Sequence, residues 1–140
     1  MKVLKRQVFR QKVHKRQVFR QELNAKQIEG KNNIGTVLRV QQAYHFERQR
    51  FSDNFDNLGL TNGTFKLSQQ VYYDIKIVDV QENKAIVTAI PKNKELKAYA
   101  GIIQYENRRY KLTQCETKSP SQTIQLPTEN GCGNDSIEID

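Results

Sequence analysis

Val71-Tyr-Tyr-Asp-Ile-Lys-Ile-Val-Asp-Val80 places Tyr73, Ile75 and Ile77 on one side of an extended chain and Asp74 and Lys76 on the other. That two-residue period belongs to a half-buried strand. Three further runs follow: Lys84-Ala-Ile-Val-Thr-Ala-Ile-Pro91, Leu96-Lys-Ala-Tyr-Ala-Gly-Ile-Ile-Gln-Tyr105 and Arg108-Arg-Tyr-Lys-Leu-Thr-Gln-Cys115. Gln81-Glu-Asn-Lys84 and Glu106-Asn107 join them at hairpin length, so neighbours must be antiparallel; a parallel crossover needs about a dozen residues or more.

Upstream the period changes. From residue 22 to 51, steps of three and four bring Ile34, Val37, Leu38, Tyr44 and Phe51 to one side of a helix, with Lys26, Lys31, Arg39, Glu47 and Arg50 opposite. Gly30 and Gly35 weaken that helix by about 1 kcal/mol each relative to Ala. Between helix and strands, Ser52-Asp-Asn-Phe-Asp-Asn-Leu-Gly-Leu60 and Thr61-Asn-Gly-Thr64 read as loop and turn. The class is α+β: a long N-terminal helix covering one face of a four-stranded antiparallel sheet.

The charge is unevenly placed. Residues 1–21 carry Lys2, Lys5, Arg6, Arg10, Lys12, Lys15, Arg16 and Arg20 and no acid, which accounts for the whole net charge of +8. The chain divides into a basic arm, 1–21, and a neutral globular domain, 22–140. The arm is a tandem repeat, Lys2-Val-Leu-Lys-Arg-Gln-Val-Phe-Arg-Gln11 then Lys12-Val-His-Lys-Arg-Gln-Val-Phe-Arg-Gln21. Ten residues fall about 80° short of three helical turns, so equivalent positions drift around the axis. Short apolar pairs (Leu4 and Val8, Phe9 and Val13, Phe19 and Leu23) leave it weakly amphipathic. Three readings stay open for the arm: a solvated basic helix or extraneous leader, a nucleic-acid arm, and a helix for a membrane surface or protein partner. Lys5, Arg6, Arg10, Lys15, Arg16 and Arg20 are the candidate contacts to an anionic partner.

Several functions find no motif. No run of 18 or more apolar residues exists and the N-terminus has no apolar core of a secretory signal. His14 has no ligand at metal spacing. His45 and Glu47, two apart, do not share a helix face and make no dyad. Without a phosphate loop, nucleophile motif or metal cluster, no catalytic residue, cofactor, metal or small-molecule substrate is expected. Asn62-Gly63-Thr64 and Asn134-Asp135-Ser136 match a glycosylation acceptor only formally. Cys115 and Cys132 are compatible with one disulfide, which would add about 3 kcal/mol and imply an oxidising compartment; two free thiols are the alternative.

Asn24-Ala-Lys-Gln-Ile-Glu-Gly-Lys31, Ile34-Gly35, Arg39-Val-Gln-Gln-Ala-Tyr-His-Phe-Glu47, Phe51, Leu58-Gly-Leu60, Leu96-Lys-Ala-Tyr-Ala-Gly-Ile-Ile103, Gln114-Cys-Glu116 and Gly131-Cys-Gly133 occur in this order. Together they resemble cyanobacterial type IV pilin-like proteins of the G and H group over about residues 22–133. The resemblance implies a structural subunit of a type IV pilus or related secretion filament at the cell surface, serving adhesion, motility, DNA uptake or export. It implies other pilin subunits as partners, no catalysis, and a C-terminal loop closed by Cys115 and Cys132. A pilin also begins with an apolar membrane-anchoring helix preceded by a cleaved leader. Here eight cations occupy that place, each costing several kcal/mol in hydrocarbon, so the apolar half is replaced or the protein enters a filament by another route. A nucleic-acid-binding module using the arm, with Arg108 and Arg109, is the second reading.

Overall fold

Helix α1 runs over Lys2–Arg48. The computed structural model describes residues 2–61, 67 and 70–139, with side chains from residue 15 onward; the Asn62-Gly63-Thr64 turn and acceptor lie outside them. No helix among the described residues is long and apolar enough to cross a membrane. Ile34, Val37, Leu38, Gln41 and His45 are buried at helical spacing. The helix stops earlier than its apolar pattern suggests. Gln49 turns into the left-handed region (φ 59°) and its N–H donates to the His45 carbonyl at 2.7 Å, a C-terminal closure. Phe51 therefore reaches the core from the following loop.

The sheet has five strands where four were expected. β1 (Tyr73–Val80), β2 (Lys84–Pro91), β3 (Tyr99–Glu106), β4 (Arg109–Thr117) and β5 (Ser136–Ile139) lie side by side in chain order, antiparallel throughout. β5 has four residues, too few to show a period, and is recruited to β4 by tertiary pairing (Cys115 opposite Glu138). β3 starts later than its apolar run because Leu96 leaves the ladder and fills the core.

One face of the sheet carries Ile75, Val87, Ala89, Tyr99 and Ile103 against the helix residues Ile34, Val37 and Leu38. The opposite face is also closed over β2, β3 and β4: Ile86, Thr88, Ala100, Ile102, Thr113 and Cys115 are buried. Residues 118–135 return on that side. The Ser121 N–H donates to the Leu96 carbonyl at 3.0 Å and Gln122 Nε2 to the Pro91 carbonyl at 3.2 Å. Cys132 is bonded to Cys115, with Cα atoms 5.8 Å apart. The domain thus has three layers: helix, sheet and C-terminal loop.

β3 and β4 join through Asn107 (φ 53°) and Arg108 (φ 63°), the paired left-handed geometry of a tight hairpin turn that prefers Asn-Gly. Arg108 carries a Cβ where glycine has no penalty. Arg108→Gly should therefore raise the unfolding free energy by about 1 kcal/mol in urea titration. An unchanged or lower value would show that the Arg side chain compensates through its own contacts.

Candidate assembly surfaces

The first motif, residues 24–31, is where the helix docks. Gln27 Oε1 accepts the Lys97 N–H at 3.0 Å. The Glu29 carboxylate accepts the N–H groups of Val71 and Tyr72, both at 2.9 Å, anchoring the entry to β1. Gly30 lies against two rings; a Cβ there would come within 2.9 Å of Tyr99 Cδ2 and 3.1 Å of Tyr73 Cε1. Lys31 and Lys97 flank Glu116 at 3.5 and 3.7 Å, and Tyr99 donates its hydroxyl to the same carboxylate at 2.6 Å. Glu116 so joins α1, β3 and β4. Burial, then the hydrogen bond and charge of Glu116, push the Tyr99 phenol far above its usual range. Burial, then Glu29 and Glu116, raise Tyr73 as well, and its hydroxyl donates to the Lys97 carbonyl.

The second motif is a latch. Gln41, 1% exposed, donates Nε2 to the Ser52 carbonyl at 2.7 Å and accepts the Ser52 N–H on Oε1 at 2.8 Å. One side-chain amide replaces the backbone partner that Ser52 lacks where the chain leaves the helix. Four residues on, His45 is buried among Phe51, Tyr105 and Tyr110, and its Nδ1 shares a 2.6 Å hydrogen bond with the Tyr110 hydroxyl. Glu47 is exposed, and no dyad forms.

Burial pulls the His45 imidazole below its ordinary value, about 6.5. In acid the unfolded chain then binds a proton that the folded chain refuses, so stability is full above that ordinary value and falls as pH drops towards the lowered one. Urea unfolding at pH 7.5 and 5.5 should show lower stability at the acidic pH, and His45→Phe should flatten the difference. An equally steep profile in the variant would remove His45 as its source.

The six cations expected to meet an anionic partner all lie on α1. Lys15, Arg16 and Arg20 are exposed; the side chains of Lys5, Arg6 and Arg10, and of His14, lie outside the described set. Arg108 and Arg109 are not near them. Gly30 abuts Tyr73 and Tyr99 at the starts of β1 and β3, whereas His45 abuts Tyr105 and Tyr110 beside the β3–β4 turn. From Arg20 to His45 the axis advances about 37 Å, so arm and hairpin occupy opposite ends and cannot grip one short phosphate run. Among the described residues no group of three or more His, Cys, Asp or Glu is arranged to hold a metal.

Apolar side chains also remain in solvent. Phe46 is 74% exposed on α1, in a hollow with Arg39, Gln42 and Tyr110. Leu112 and Ile137 lie exposed on the helix-facing side of β4 and β5, because the helix lies over β2 and β3. The sequence pattern concealed all three by mixing them with buried neighbours.

Residues 27–136 match the family described as type IV pilin-like G and H. The chain belongs to the type IV pilin-like G and H family. Comparison with curated proteins and with solved structures returns no match. The matched span of this pilin-like protein holds the docking residues Gln27 to Lys31, the Gln41 latch, the Glu116 hub and the disulfide. Those motif residues make contacts that join helix, sheet and C-terminal loop. The basic arm precedes the match.

Proposed function

We propose that this pilin-like chain is a structural subunit of a type IV pilus or related secretion filament at the cell surface, with other pilin subunits as its partners. Adhesion, motility, DNA uptake or export is the process such a filament serves. No catalytic step, cofactor or small-molecule substrate enters this role. The observation that carries the reading is a pilin-like domain built on one unbroken 47-residue helix. At residues 15–22 that helix is exposed, beyond the cover of its own sheet. Such a rod can pack beside its counterparts while the sheet and looped face point outward. Exposed Phe46 and Leu112 supply apolar area for neighbours. The nucleic-acid reading has no comparable support once the arm and Arg108–Arg109 lie at opposite ends.

In cells that make the full chain, the protein should be recovered with mechanically sheared surface filaments. Antibody to the sheet domain should decorate them in electron micrographs. Recovery only as dispersed monomer, from cells whose filaments are intact and unlabelled, would overturn the assignment.

A further inference from the structure

We infer that the basic arm is an interfacial helix that lies along an anionic lipid surface. The backbone is helical from Lys2 through the arm into the domain. At 100° per residue, the positions of Val3, Leu4, Val8, Val18 and Phe19 fall within an arc of about 160°. Seven of the eight cationic positions, all but Lys15, fall within the complementary arc. Phe9 and Val13 are the apolar positions among the cations, a result of the 80° slip between the two copies. Gln7, Gln11, His14 and Gln21 share the first arc with the apolar positions and Lys15, so the arm is two-sided in charge, with a less charged side of mixed apolar and polar positions. Val18 and Phe19 are 38% and 50% exposed, beside exposed Lys15, Arg16 and Arg20.

Charge and apolar surface together select the partner. A nucleic-acid backbone uses the cations but gives exposed Val18 and Phe19 nothing to enter. A bilayer interface uses both: its acyl boundary takes exposed Val18 and Phe19, and anionic headgroups attract the cationic side. The arm has no acid to oppose that attraction. Its length, about 30 Å, allows it to lie flat while the globular domain stays in water. The same exposed helix cannot pack beside other subunits while it lies on lipid, so this role belongs to the unassembled chain.

The full chain should be mixed with vesicles of phosphatidylcholine alone and with vesicles containing about a third phosphatidylglycerol. Co-sedimentation is expected only with the second set, and should weaken as salt screens the headgroups. Lys15→Glu combined with Arg16→Glu and Arg20→Glu should reduce partitioning by at least about tenfold. Phe19→Ser should reduce it several-fold, and Phe19→Trp should give a blue-shifted emission on anionic vesicles, read without interference because the chain has no Trp. These positions lie outside the core, so unfolding midpoints should not move and lost binding cannot be ascribed to misfolding. Equal binding to both vesicle types, no binding, or an unshifted indole emission from the Phe19→Trp variant would overturn the inference. So would tighter binding to duplex DNA than to anionic vesicles, with Phe19→Ser without effect on either.

Discussion

Replacing both Cys115 and Cys132 by alanine lowers the unfolding free energy by about 3 kcal/mol, the loop-closure contribution of a bridge spanning this length of chain. The effect extends beyond the bond. Cys132 holds residues 118–135 over Ile86, Ala100, Ile102 and Thr113, which are otherwise on an uncovered sheet face. The loop also returns the chain to β5, whose four residues pair with β4 beside the bridge. Urea unfolding of the double variant should thus show the lower midpoint, and a dye that reports exposed apolar surface should bind it before the main transition. Reductant should reproduce both changes in the unmodified protein. Unchanged midpoints, and no dye binding, would mean that the loop is held by Gln122, Ser121 and its packing alone.

The second large effect is expected at Gly101, in the middle of β3 on the helix-facing side. A Cβ there would lie 2.7 Å from Ile34 Cγ2 and 2.8 Å from Leu38 Cδ1. Both neighbours are fully buried, at 0% and 1% exposure, and have nowhere to retreat. Gly101→Val therefore forces α1 away from the sheet and should cost about 3 kcal/mol, the upper part of the overpacking range. Strand propensity works the other way, since valine is a better strand former than glycine, but that whole scale spans only about 1 kcal/mol. Sterics win. A variant as stable as the parent by urea titration would show that the helix can lift without loss.

Much of this architecture was legible because two periods are written plainly in the chain. The alternation of Tyr73, Ile75 and Ile77, and the three-and-four spacing of Ile34, Val37 and Leu38, follow from backbone geometry acting on local sequence. The resemblance in residues 24–31, Gln41, Glu116 and Cys132 led to the right family, but not to what those residues do. Nothing local says that Glu29 will cap the entry to β1, or that the Gln41 amide will bond to Ser52. Each pairing joins groups far apart in the chain. Likewise the sequence offers His45 only Glu47 as a nearby partner to weigh, and only the folded sheet brings Tyr105 and Tyr110 around it.

The chain alone determined a helix, at least four antiparallel strands, and the segregation of all net charge into residues 1–21, since these depend on neighbours in sequence. Tertiary structure decided the fifth strand, the burial of both faces of β2 and β3, and the placement of Arg108 and Arg109 at the end remote from the arm. A four-residue strand has too little pattern of its own, and a sheet face is closed or open according to what returns over it. Which end of the domain a charge occupies depends on how the helix runs across the strands, and packing alone sets that direction.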